Sequence, residues 1–77
     1  MPKISPISGK ILVKVFQADG FVVARQSGSH VMLKKPGVGR PIVVPQHKAV
    51  QVSVILSNLR TARMSRSTYF ELLEKVR

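Results

Sequence analysis

Between residues 20 and 45 turn-forming residues cut the chain into short β-rich runs, and this punctuation limits the fold more than any other feature. Phe21-Val-Val-Ala-Arg25 and His30-Val-Met-Leu-Lys34 are separated by Gln26-Ser-Gly-Ser29, which predicts a hairpin. Pro36-Gly-Val-Gly-Arg-Pro41 predicts a second turn. Ile42-Val-Val44, held between two prolines, predicts a third strand at a sheet edge, because proline interrupts the hydrogen-bond ladder. On either side of this region the apolar spacing is helical. Ile11, Leu12, Val15 and Phe16 share one face of a helix from about Ser8 to Asp19, with Ser8 as cap, Gly20 as stop, and Lys10, Lys14 and Gln17 opposite. Val52, Ile55, Leu56, Leu59 and Ala62 form a second apolar face, with Ser57, Arg60 and Thr61 turned away. Ser65 caps a last helix that buries Tyr69, Phe70, Leu72, Leu73 and Val76. The predicted class is α+β in the order α-β-β-β-α-α, a three-stranded antiparallel sheet with helices on one face and the other face open to a ligand.

At 77 residues this is one domain, read as residues 8–77 behind an N-terminal extension of residues 1–7. Cysteine is absent, so neither disulfides nor thiolate-bound metal hold the chain, and packing of its 44 % hydrophobic residues must do so. No apolar run of signal or membrane length is visible, and the expected location is the cytoplasm. Lys and Arg outnumber Asp and Glu 13 to 3, a formal charge of +10 on a small body, which points to a polyanionic partner. The basic residues are scattered over strands, loops and helices rather than aligned on one amphipathic helix. That distribution favours a nucleic-acid surface over lipid headgroups, with mere solubility as the plain alternative.

The run Gln17-Ala-Asp-Gly-Phe-Val-Val-Ala-Arg-Gln-Ser-Gly-Ser-His30-Val-Met-Leu, then a turn, then Ile42-Val-Val-Pro45-Gln-His47, resembles the HicA family of bacterial toxins. A Gly-Ser-His tripeptide alone is weakly informative; its place after Asp-Gly-Phe and a strand, and before a turn, a strand and Pro-x-His, is much more specific. The resemblance implies a small fold like that of the double-stranded-RNA-binding domain. It also implies ribonucleolytic cleavage of mRNA served by the histidine of Gly28-Ser29-His30, and a cognate HicB antitoxin that blocks this surface. Two departures bear on antitoxin docking: Val52-Ser-Val-Ile55 stands where the family often has Gly-Thr-Leu, and Arg63 where a glycine often separates the last helices.

From the residues alone His30 reads equally as a surface strand histidine or as a base; the resemblance favours the base. Imidazole is the side chain that ordinarily titrates near neutrality. If His30 takes the proton of a ribose 2′-hydroxyl, that oxygen can attack the adjacent phosphorus with no metal or other cofactor. Arg25, expected directly opposite His30 in the hairpin, with Lys34 or turn amides near Gly28, would stabilise the developing negative charge. The same register sends Val22 and Ala24 to the helix side with Val31 and Leu33, and leaves His30, Met32, Lys34 and Phe21 on the open side. Ser29 either orients the histidine or bonds the turn. His47 is expected near the same end of the sheet, as an exposed histidine or as the complementary acid. Lys34, Lys35 and Arg40 suit phosphates better than bases, and each is also explained as a solvated charge.

A Ser-His-Asp arrangement is not expected, because Asp19 is the lone aspartate and lies at a helix end; Glu71 and Glu74 pair or solvate on the last helix. Two histidines and three acids support no metal site. The function expected is therefore a metal-independent endoribonuclease toxin acting on mRNA and countered by a HicB-type antitoxin. The alternative is a non-catalytic RNA-binding module of the same fold. A structural protein without an RNA partner would show negligible salt-dependent binding.

Overall fold

The computed structural model describes residues 3–77. Its elements are α1 (Gly9–Ala18), β1 (Val22–Ser27), β2 (His30–Lys34), β3 (Ile42–Pro45), α2 (Val52–Ala62) and α3 (Arg66–Val76). The strands form one antiparallel sheet in the order β1-β2-β3. The architecture is the expected α+β meander.

Local chemistry sets the helix ends. The Ser8 hydroxyl accepts from the Ile11 N–H at 3.2 Å and starts α1, whose Leu12, Val15 and Phe16 are buried while Lys10, Lys14 and Gln17 face out. The Ser65 hydroxyl accepts from the Thr68 N–H at 3.1 Å and starts α3. No side chain caps α2 at Gln51, and α2 ends on Arg63 in the left-handed conformation, φ 56. Arg63 is the single non-glycine residue of positive φ among the described residues, a state that costs an L-residue about 1–2 kcal/mol.

The core lies between the sheet and the helices. Val31 and Leu33 of β2 and Ile42 and Val44 of β3 point inward against Leu12, Val15, Phe16, Ile55, Leu59 and Tyr69. α1 and α2 lie over β3, and α1 packs on α3. No residue of β1 is buried, so the helices leave this edge strand uncovered. The chain before α1 also contributes: Ile4 is buried, and Ile7 forms an isolated bridge with Val50, whose N–H donates to the Ile7 carbonyl at 2.7 Å. The described part of the expected extension, residues 3–7, thus leans on the core; Met1 and Pro2 lie outside the described residues.

Two expectations about the strand faces are corrected. Phe21 belongs to the core, 3 % exposed and edge-to-face with Phe16 at 5.5 Å between ring centroids. Its N–H donates to the Phe16 carbonyl, so its backbone closes the end of α1 and does not follow the alternation of β1, which begins at Val22. Val22 and Ala24 do not form an apolar inner face. The two-residue loop sets Gln26 opposite the inward Val31, and a bulge between Val23 and Arg25 then sets Val23 opposite the inward Leu33, while Val22 is 65 % exposed.

Gly9 fixes how α1 meets the sheet. Its N–H donates to the His47 carbonyl at 2.9 Å, and a β-carbon there would overlap the Pro45 carbonyl oxygen. Among the described residues no helix is long and apolar enough to cross a membrane.

Candidate active site

The β1–β2 hairpin closes with Ser27 opposite His30, so its loop is two residues, Gly28 and Ser29, and β1 runs further than the sequence indicates. Gly28 takes φ 57 at the first central position while Ser29 stays in the negative-φ region, the sign pattern of a type II′ turn. Nothing lies within 4 Å of a β-carbon built on Gly28, so backbone conformation rather than space asks for glycine. This turn leaves His30 exposed as the first residue of β2, on the face turned away from Val31 and Leu33.

Ladder pairs give the open face its layout. His30 lies between Ser27 and Pro45, Met32 lies between Arg25 and Val43, and Lys34 faces Val22. Arg25 is therefore not directly opposite His30. The hairpin closes on the two-residue loop Gly28–Ser29 with Ser27 opposite His30, which places Arg25 one pair further along as the diagonal neighbour of His30 on the same face, a separation of about 7–8 Å that a long side chain can bridge. His30, Arg25 and Lys34 are exposed, with the partly exposed Met32 and Val43 between them.

His47 reaches the His30 end of the sheet. It follows Pro45, the ladder partner of His30, by two residues, and the intervening Gln46 N–H donates to the Ser29 carbonyl. The Ser29 backbone thus ties the hairpin tip to the segment carrying His47, whose own carbonyl is held by Gly9. Both histidines are exposed. None of the ion pairs or hydrogen bonds among the described residues joins Asp19, Glu71 or Glu74 to either imidazole.

The other expected residues gather at the opposite end. The Lys35 ammonium pairs with Asp19 at 3.2 Å and sits 5.7 Å from the centre of the Phe21 ring, tying the end of β2 to the end of α1. Arg40 is exposed in the β2–β3 turn beyond it. The candidates divide into His30, Arg25, Gly28, Ser29 and His47 near the hairpin tip, and Lys34, Lys35 and Arg40 at the far end. Among the described residues no three His, Cys, Asp or Glu side chains converge as metal ligands would.

A groove of about 340 Å³ between α1 and the uncovered inner side of β1 went unforeseen; Lys10, Lys14, Gln17, Val23, Gln26, Val31, Gln46 and Val13 line it. Its signal in the sequence was the lysine pair one turn apart on the outward face of α1, with no acid beside it.

A three-stranded meander with helices on one face, an uncovered edge strand and an exposed histidine raised on a glycine turn defines a small, strongly basic α+β domain. Residues 9–64, well over half of the chain, match the family described as HicA toxin of bacterial toxin-antitoxin, and the chain belongs to that family. It is in general terms a ribonuclease-like toxin with RNA targets and an antitoxin counterpart. No curated protein and no solved structure matches the chain.

Proposed function

We propose that this toxin is a metal-independent endoribonuclease that cuts mRNA in the cytoplasm, with His30 as general base, and that a HicB-type antitoxin neutralises it. The observation that carries the reading is the exposure of His30 at the hairpin tip, on the same face as Arg25 and at the same end of the sheet as His47. RNA supplies its own nucleophile. His30 accepts the 2′-hydroxyl proton as the 2′-oxygen attacks phosphorus, and the bond to the 5′-oxygen of the next nucleotide breaks. His47 returns a proton to that leaving oxygen, giving a 2′,3′-cyclic phosphate and a 5′-hydroxyl. Negative charge developing on the non-bridging oxygens is met by Arg25 and by amides of the Gly28–Ser29 turn.

The test is His30→Ala on a short single-stranded RNA. Cleavage is expected to fall by roughly 10²–10⁴-fold, the usual contribution of a positioned acid–base group. Binding should persist, because the other cations remain. An alanine variant that still cuts at the parental rate would remove the reading, and a parent chain that binds without cutting would leave the RNA-binding module in its place.

A further inference from the structure

We propose that Arg40, Arg60 and Arg63 form a phosphate-binding site for the RNA backbone, remote from the hairpin that carries His30. The proposal rests on RNA being the substrate. Arg40 comes from the β2–β3 turn, Arg60 from the last turn of α2 and Arg63 from its C-cap. With Val38, Gly39 and Thr61 they line a concave site of about 300 Å³. All three arginines are exposed, no acid lines the hollow, and the ion pair found among the described residues joins Lys35 to Asp19 instead. Three guanidinium groups around one hollow repel each other, and a bound anion reverses that repulsion.

Cations at a helix C-terminus are favoured by the helix dipole, which accounts for Arg60 and Arg63 taken singly. It does not account for Arg40, which another element brings to the same place. Nor does it explain why a residue at φ 56 should be arginine, since glycine occupies that region without penalty. The planar fork of arginine suits phosphate oxygens, two bonds at a time. Gly39 has nothing within 4 Å of where its β-carbon would be, so an anion can come close to the backbone there, and Thr61 adds a hydroxyl donor.

The hollow favours a nucleic-acid phosphate over a docked protein because its lining holds one aliphatic side chain, Val38, and no aromatic anchor around which a protein interface would be centred. The β2–β3 turn lies at the far end of β2 from His30, a distance of roughly 15 Å by strand rise. A phosphate held here belongs to a different nucleotide from the one being cut. The site therefore acts on affinity and leaves the chemical step alone.

The test uses the full chain carrying His30→Ala, so that RNA survives, and measures binding of a single-stranded RNA oligonucleotide across salt concentrations. Adding R40Q, R60Q and R63G together should weaken binding roughly 10–30-fold at low salt and flatten the slope of log affinity against log salt by about 2, near 0.7 per lost contact. In the cleaving chain the same changes should raise KM and leave kcat in place. Arg63→Gly alone should weaken binding while its melting temperature stays level or rises, which separates lost contacts from lost folding. Unchanged affinity and slope in the triple variant would overturn the site, as would loss of an acidic protein partner with RNA binding intact. A parent chain that neither binds nor cuts RNA would overturn the proposed function as well, and is told apart by the parent measurement.

Discussion

Gly9 sits against the Pro45 carbonyl so closely that no side chain fits between them. Pro45 is also the ladder partner of His30, so the first turn of α1 presses on the strand end that braces the proposed base. The Gly9 N–H bond to the His47 carbonyl secures the same corner. A residue far from His30 in sequence therefore holds the end of the sheet where chemistry is proposed.

Gly9→Ala should be costly. The nearest atoms to the added carbon are backbone, which cannot swing aside as a flexible side chain would, so helix or strand must move. Overpacking of this kind costs about 1–3 kcal/mol. For a domain of this size that lowers the melting temperature by roughly 5–20 °C, measured by far-ultraviolet circular dichroism. An unchanged melt would mean that α1 does not approach β3 as described.

Gly28→Ala tests a different demand. Space is free around Gly28, and the change offends only the positive φ, at a cost of about 1 kcal/mol. The melting temperature should fall less than for Gly9→Ala. Cleavage should fall more than stability suggests, because Gly28 is the turn that presents His30. Equal proportional losses in the two variants, with activity compared well below both melts, would deny the turn its special role.

Arg25 and Lys35 should separate by what they change. Arg25 is exposed on the open face beside His30 and has no ion pair in the described structure, so Arg25→Gln should lower kcat with the melting temperature unmoved. Lys35 holds Asp19 and covers the Phe21 ring, so Lys35→Gln should lower stability by about 0.5–1 kcal/mol. Thermal melts and initial cleavage rates on both proteins check this; a stability loss confined to Arg25→Gln would reverse the assignment.

The legible parts of this molecule were those set locally. Ser8 and Ser65 announce helix starts because the capping bond spans three residues, and the Gly28 turn announces the hairpin because its conformation belongs to one residue. The register of β1 was not legible: the bulge near Ala24 is decided by how β1 pairs with β2 and by Phe21 turning under α1, both outcomes of packing. The loop length was not legible either: the hairpin closes on Gly28–Ser29 with Ser27, not Arg25, opposite His30, which leaves Arg25 on the diagonal. Arg40, Arg60 and Arg63 were legible as charges but not as a cluster, since the turn and the helix end that bring them together are separated by a whole helix. The exposure of His30 was legible because it follows from the glycine turn before it and from the alternation of β2.

Tyr69 gives a test of the core that is independent of RNA. Among the described residues its buried hydroxyl has no hydrogen-bond partner, and burial pushes its pKa above the ordinary 10.0, with the Arg77 guanidinium acting in the opposite direction. The folded chain therefore keeps the phenolic proton more tightly than the unfolded chain does. Stability from this group is complete below the unfolded value. It is lost as pH rises through the folded value, because the unfolded state then releases a proton that the folded state retains. As the chain holds a single tyrosine, near-ultraviolet absorbance should show its ionisation above pH 10 in the native protein and near 10 in denaturant. Tyr69→Phe should keep neutral-pH stability within about 1 kcal/mol, since it removes a buried hydroxyl that has no partner among the described residues. Lysine deprotonation also acts at high pH but is common to both proteins, so the comparison is the difference between their alkaline stability slopes. The parent should fall more steeply; identical slopes would show that the ring is not sealed between α3 and the core.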